Sequence, residues 1–256
     1  MSYPAVVPRP STVGKLARIT QDQWGLVTRR QAEQTGISRA TFTRLIADGS
    51  VLERVAPAVY RLVGGAPPDH LALRAAWLQL GPSVPAWERR PDDGVVSHRS
   101  AAAVYGVGHL PADVHEFTLP RRRQSRRPDV RLHRGKLRDD EWVARRGLPV
   151  TRPSRIAADL LADNEDPEAV AQIIADAIRS VYDDPGSFAD ALAPYAARFG
   201  LRRGDGLSLL RWMLELAADP DRQRWLDEAQ AHLVRDRHGK AVTRSRHQEP
   251  IGSSVR

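Results

Sequence analysis

The chain has 256 residues, 39 Lys and Arg against 31 Asp and Glu, no cysteine and a formal charge of +8, with 41% apolar and 27% charged residues. Without cysteine there is no disulfide framework, no thiolate nucleophile and no Cys-ligated zinc or iron–sulfur site. No run approaches the roughly 18–20 apolar residues of a membrane span, and the opening Met1-Ser2-Tyr3-Pro4 has no basic-then-apolar leader pattern. The expectation is a soluble cytoplasmic protein, long enough for one large or two ordinary domains.

The charge is sorted into blocks. Residues 1–64 carry nine basic and four acidic groups, residues 118–136 eight and one, and residues 235–256 six and two, which leaves the rest of the chain acidic. A merely soluble surface would not need this sorting; it points to an acidic partner.

In chain order, the prolines before Ser11 read as a lead-in. Val13, Leu16, Ala17 and Ile19 then recur at helical spacing, with Ser11 or Thr12 as N-cap. Gly25-Leu26-Val27-Thr28 reads as a turn ending in a new cap, and Gln31 stands at capping-box distance from Thr28. A short helix to Thr35, a tight turn at Gly36-Ile37-Ser38 and a second helix from Ser38 to Asp48 follow, stopped by Gly49. Phe42, Leu45 and Ile46 share one face of that helix; Ala40, Arg44 and Ala47, flanked by Thr41 and Thr43, share the other. Residues 51–63 read as a hairpin around Ala56-Pro57-Ala58. Helix, short helix, turn, helix and hairpin in this order predict a winged helix-turn-helix.

Gly64-Gly65-Ala66-Pro67-Pro68 is linker-like. Helices are expected over 71–80, from the cap Ser97 to Tyr105, and from Thr151 or Ser154 to Asp163. Val114–Leu119 and Val130–His133 read as strands joined by an arginine-rich loop, whose bland reading is a solvated hairpin loop. From Pro167 the pattern is helical, with Val170, Ile173, Ile174, Ala177, Ile178 and Val181 on one core face, then helices at 187–198, 205–217 and 221–235. The fold class is therefore α+β: an N-terminal winged helix-turn-helix, a mixed α/β region and a helical C-terminal part. The expected domains are 12–64 for the winged helix, 69–235 for an α+β C-terminal domain, and 236–256 for a disordered basic tail.

A helix-turn-helix places its second helix in the major groove while the first braces on the phosphates. The candidate DNA-binding residues are Arg29 and Arg30 in the bracing helix, Ser38, Arg39, Thr41, Thr43 and Arg44 on the reading helix, and Arg54 and Arg61 on the wing. An arginine can bond guanine bidentately; a threonine can meet a phosphate or a thymine methyl. One central arginine is a weak reader alone, so dimeric or tandem binding is expected, as by a homodimer on DNA. Arg121, Arg122, Arg123, Arg126 and Arg127 form a second candidate contact, for nucleic acid or an acidic protein. The alternative for the fold is a winged helix used for protein contact only.

The eight histidines show no metal-ligand spacing, and no cofactor or metal is expected. Ser97, His98 and Asp159 could be drawn as a triad, yet no nucleophile elbow accompanies them. Gly186-Ser187 with Asp190 superficially suggests a nucleotidyltransferase start but lacks paired carboxylates.

The run Gly25-Leu-Val-Thr-Arg-Arg-Gln-Ala32, Gly36-Ile-Ser-Arg-Ala40, Arg44-Leu-Ile-Ala-Asp-Gly49, Leu52-Glu-Arg-Val55 and Val59-Tyr-Arg-Leu62 resembles the winged-helix start of the AbiEi antitoxins of type IV toxin–antitoxin systems. The Pro-Gly-Val-Tyr usual at the wing turn stands here as Pro57-Ala58-Val59-Tyr60. Ser97-His98-Arg99-Ser100-Ala101-Ala102 and Gly147 to Leu160 resemble the region that follows, so the likeness spans about residues 20–165. The resemblance implies an operator-binding repressor, on inverted repeats in its own promoter, whose C-terminal part counteracts a nucleotidyltransferase-like toxin; neither half would be an enzyme. A related group ends instead in a metal-dependent endonuclease-like domain, which needs Asp and Glu-x-Lys. After residue 165 this chain has one lysine, Lys240, and no Glu-x-Lys, which disfavours a nuclease.

Overall fold

The structure is a computed structural model and describes residues 11–246, with side chains to residue 235. The chain divides into two compact units. The first comprises Met1–Val96, Asp113–Leu137 and Ala144–Pro149; the second comprises Ser97–Ala112, Arg138–Val143 and Val150–Arg256.

The first unit begins with α1 (Thr12–Gln21), β1 (Leu26–Thr28), α2 (Arg29–Gln34), α3 (Arg39–Asp48), β2 (Leu52–Ala56) and β3 (Val59–Leu62). The strands form a sheet in the order β1-β3-β2, both pairs antiparallel. This order and topology define a winged helix. β1 is the element that the sequence reading takes for a turn: three residues are too few to show an alternation, and all three are buried. Leu16, Ile19, Val27, Ala32, Ile37, Phe42, Leu52 and Tyr60 make one apolar cluster that holds helices and sheet together. Val13, which shares the helical spacing of Leu16 and Ile19, is exposed while those two are buried.

α4 (Leu71–Leu80) packs against β1, β2 and β3, so the segment after the Gly-Pro stretch adds a layer to the winged sheet. Its Trp77 is fully buried, lies edge-on to Trp24 at 5.8 Å and donates to Gly94 O at 2.7 Å. β4 (Val95–Val96), β5 (His115–Leu119), β6 (Val130–Arg134), β7 (Trp142–Arg145) and β8 (Leu148–Thr151) belong to a five-stranded sheet ordered β6-β5-β4-β8-β7. β5 pairs in parallel with β6, His115 opposite Val130 and Leu119 opposite Arg134. The loop between them is therefore not a hairpin: it must return the whole length of the strand before pairing resumes.

The second unit contains α5 (His98–Tyr105), α6 (Pro153–Ala162), α7 (Pro167–Arg179), α8 (Pro185–Leu192), α9 (Gly206–Leu216) and α10 (Arg222–Arg246). Ile156, Leu160, Ile173, Ile174, Phe188, Leu209 and Met213 fill its core. Gly206 lets α9 approach α8 closely, since a Cβ there would stand 1.8 Å from the Ala189 oxygen. Two expected caps differ. Ser97 makes no cap bond and instead contacts His98 Nδ1 at 2.9 Å; α6 starts at Arg152-Pro153, where proline sets the first-turn φ and lacks an N–H the helix would leave unpaired anyway.

Val181 leaves the predicted core face altogether. α7 ends at Arg179 with Ser180 as its cap, and Val181 turns left-handed at φ 55° with 86% of its surface exposed. The sequence reading ends the last helix at 235, where core residues run out; the backbone stays helical to Arg246. The remainder of the expected disordered tail, 247–256, lies outside the described residues, as does the proline-rich lead-in at 1–10. Among the described residues no helix is long and apolar enough to cross a membrane.

Candidate nucleic-acid interface

Two polar caps set the pair of helices. Thr28 and Gln31 close a capping box on α2: Thr28 Oγ1 accepts from Gln31 N at 3.1 Å and Gln31 Oε1 accepts from Thr28 N at 3.0 Å. Ser38 caps α3, accepting from Thr41 N at 3.1 Å and donating to Thr41 Oγ1 at 2.9 Å. Between them Gly36 turns at φ 79°, a conformation that costs a side chain but not glycine. Phe42 carries α3 on the core, fully buried and edge-on to Tyr60 at 4.9 Å.

With Phe42 turned inward, Arg39, Ala40, Thr43, Arg44 and Ala47 are exposed on α3. One turn from Arg44 this face carries the small Ala40, Thr41 and Ala47, and it ends at exposed Asp48. Arg30 at the start of α2 and Arg54 on β2 are also exposed.

The nine residues picked from sequence therefore separate. Arg30, Arg39, Thr43, Arg44 and Arg54 point to solvent. Ser38 and Thr41 spend their hydroxyls on the cap of α3. Arg29 is half-buried, 5.8 Å from the Phe42 ring centre and 3.4 Å from Tyr60 Oη. Arg61 is held by Glu53 at 2.5 Å and by the Gly65 oxygen, its side chain only 13% exposed.

The turn of the wing is pinned from two sides. Ala58 O accepts from Arg29 N at 3.0 Å, and Pro57 O accepts from Gln79 Nε2 at 2.6 Å. A buried pair, Gln23 and Gln31, exchanges amide bonds at 2.8 and 3.1 Å and extends them to Ala86 N and Val84 O, while Thr28 Oγ1 donates to Pro82 O. Residues 82–86 are thereby fastened over the start of α2. Sequence reading finds the capping box but not these long-range partners, because a glutamine carries no pattern that names its acceptor.

At the far end of α4, Arg89 lies over Trp77 at 4.3 Å and donates to the oxygens of Leu78 at 2.6 Å and Gly81 at 2.5 Å. Burial pulls its guanidinium down to about 10; Asp93 opposes this and neighbouring Arg123 adds to it. The five arginines of the 121–127 loop also separate. Arg123 donates to Leu80 O at 2.5 Å, and Arg127 pairs with Asp129, while Arg121, Arg122 and Arg126 are exposed.

In the second unit, a polar cavity of about 1010 Å³ is lined by Arg155, Glu141, Asp159, Asp183, Tyr195 and His232 among others. Several of its charges are spent on each other and on helix ends: Arg155 bonds Asp159 at 2.7 Å and Glu141 at 3.0 Å, and Asp183 accepts from Ser154 N at 3.0 Å. The triad drawn from sequence does not assemble as drawn. Asp159 pairs with Arg155, the carboxylate near His98 is Asp163 at 3.8 Å, and Ser97 is fully buried, out of reach of a substrate.

The winged helix thus turns Arg39, Thr43 and Arg44 outward on its second helix, the helix that enters the major groove where such a fold binds DNA. The comparison with known families agrees: residues 15–63 match a family described as "Transcriptional regulator, AbiEi antitoxin". The matched stretch runs from α1 to the end of the wing. A search of curated proteins finds no match to this chain.

Proposed function

We propose that this protein is a DNA-binding transcriptional repressor of antitoxin type. It would bind inverted repeats in its own promoter as a homodimer, and the part beyond the winged helix would counteract a nucleotidyltransferase-like toxin without catalysing a reaction. The observation that carries the reading is the outer face of α3, where Arg39, Thr43 and Arg44 are exposed on a helix capped at Ser38 and stopped at Gly49. The match of residues 15–63 to an antitoxin regulator family supports it, and so does the positive charge of residues 1–64.

The roles divide by exposure. Arg44 and Arg39 are the base-edge readers, Thr43 a phosphate or thymine-methyl contact, and Arg30 and Arg54 phosphate contacts on either side. The test is binding of the full chain to the duplex upstream of its own reading frame. Arg44→Ala is expected to weaken that binding by about 1–3 kcal/mol and to flatten the preference over scrambled duplex. Equal affinity of the wild type for both duplexes would overturn the repressor reading. The antitoxin half is tested separately, by whether co-expression of this chain rescues growth under a neighbouring nucleotidyltransferase-like toxin.

A further inference from the structure

The wing itself is poorly equipped to hold a duplex. Its turn is Ala56-Pro57-Ala58, without a cation, and the oxygens of Pro57 and Ala58 are both bonded inward. Of its two arginines, Arg61 is occupied by Glu53, which leaves Arg54.

A richer source of charge is fastened beside it. Gln79 and Leu80 are successive residues at the end of α4. The side chain of Gln79 holds the wing turn, and the oxygen of Leu80 holds Arg123 of the 121–127 loop. Successive Cα atoms stand about 3.8 Å apart, so wing turn and loop are moored to adjacent points. The mooring suits the chemistry: the last carbonyls of a helix carry the negative end of its dipole and attract arginine. Because β5 and β6 are parallel, the loop spans the strand length and cannot collapse into a tight turn. Local partners neutralise part of its charge, with Arg127 on Asp129 and Arg131 near Glu116 at 3.6 Å. Arg121, Arg122 and Arg126 remain exposed, with no acidic group among the described residues bonded to them.

We propose that residues 120–129 are the cationic arm that the short wing lacks, and that Arg121, Arg122 and Arg126 grip backbone phosphates of the same duplex that α3 reads, on the wing side of it. The inference rests on the DNA-binding reading above. It assigns the loop to nucleic acid and not to an acidic protein, because the loop is moored at the wing and its exposed cations are all arginine, suited to bidentate phosphate contact.

The experiment measures binding of the full chain to a mixed-sequence duplex, long enough to pass both α3 and the loop, as salt is raised. The proteins are wild type, R121A/R122A/R126A, R121K/R122K/R126K and R44A, each checked for native circular dichroism. Each phosphate contact contributes about 0.9 to the slope of log K against log salt. The triple alanine variant should therefore lose about 2–3 from that slope, the triple lysine variant should keep most of it, and R44A should lose about 1 at most. Hydroxyl-radical footprints should lose protection on the wing flank alone. An unchanged slope in the triple alanine variant, with wild type and R44A still distinguishable on the promoter duplex, would overturn the arm and leave the repressor reading intact. Failure of the wild type to bind any duplex would overturn both.

Discussion

The side-chain amide of Gln79 lies 2.6 Å from the main-chain oxygen of Pro57, so the turn of the wing is tied to the last turn of α4. Within the winged helix itself that turn is held by its own hairpin and by Arg29 N, which donates to Ala58 O at 3.0 Å. Its position also depends on a residue outside the winged helix. Gln79→Ala should cost about 1 kcal/mol, the net value of one such bond. Amide exchange at Ala58 and Val59 should accelerate while amides in α1 remain protected. Unaltered exchange at the wing turn would show that the hairpin holds itself.

Ala58 occupies the place where the resemblance leads one to expect glycine, and it sits at φ 60°. A non-glycine residue in the left-handed region costs about 1–2 kcal/mol, and glycine returns about 0.4–1 kcal/mol of that through its freer unfolded chain. Ala58→Gly should then stabilise the protein modestly, raising the melting temperature by a few degrees. Ala58→Val should lower it, since a β-branched side chain is disfavoured further there. A drop in melting temperature for the glycine variant would mean that the Ala58 methyl supplies packing that outweighs the strain.

The pattern in which sequence and structure agree has a physical cause. Thr28, Gln31, Ser38 and Gly49 were legible because caps and stops act within four residues of themselves. The exposed face of α3 was legible because Phe42, with Leu45 and Ile46 packed beside it on the same cluster, fixes its rotation. What escaped was non-local. The parallel pairing of β5 and β6 cannot be told from a hairpin by residue type, since both need two apolar strands and a polar connection. Arg29 and Arg61 look identical to Arg44 in sequence; only the positions of Tyr60 and Glu53 remove them from the surface. Val181 continues the spacing of Ile174 and Ile178, but the helix ends at Arg179, two residues short of it.

Gly186 lies directly under His232, and a Cβ at 186 would stand 2.2 Å from Cγ of that ring. The overlap falls near the base of the side chain, so a rotamer change does not relieve it; α10 itself must move off α8. His232 is also set between Asp184 at 3.5 Å and Asp190 at 3.6 Å. Gly186→Ala should destabilise by about 1–3 kcal/mol, the usual cost of overpacking. His232→Ala in the same chain should recover part of the loss, and chemical denaturation of the four members of the cycle measures it. Strict additivity would show that the two residues do not press on each other.

Two histidines of the first unit should make stability fall on mild acidification. Burial pushes the His70 imidazole below its ordinary value, helped by Arg146 and Arg74 and opposed by Asp69. Burial also lowers His115, with Asp129 opposing and Arg127 assisting. A histidine whose folded pKa is depressed binds its proton more readily when unfolded. Stability therefore rises with pH between the folded value and about 6.5 and is lost as pH falls through that window. Replacing both by asparagine should flatten the change in urea midpoint between about pH 7 and pH 5. A wild type and double variant with parallel profiles would place the acid sensitivity elsewhere.

The separation of the arginines gives the sharpest test of the interface, because stability and affinity should move apart. Arg61 bonds Glu53 and the Gly65 oxygen with its side chain mostly covered. Arg61→Ala removes that packing and leaves Glu53 facing an empty place, so it should lower the melting temperature and affect duplex binding only through the wing. Arg29→Ala should act likewise through Tyr60 and Phe42. Arg44 is exposed on α3 and bonded to no acidic group among the described residues, so Arg44→Ala should leave the stability within about 0.5 kcal/mol of wild type while costing about 1–3 kcal/mol of promoter binding. Thermal denaturation and fluorescence anisotropy on the same three variants decide the matter. If Arg61→Ala weakened binding as much as Arg44→Ala at full stability, the Glu53 pair would have to open on DNA, and the wing would be a direct reader.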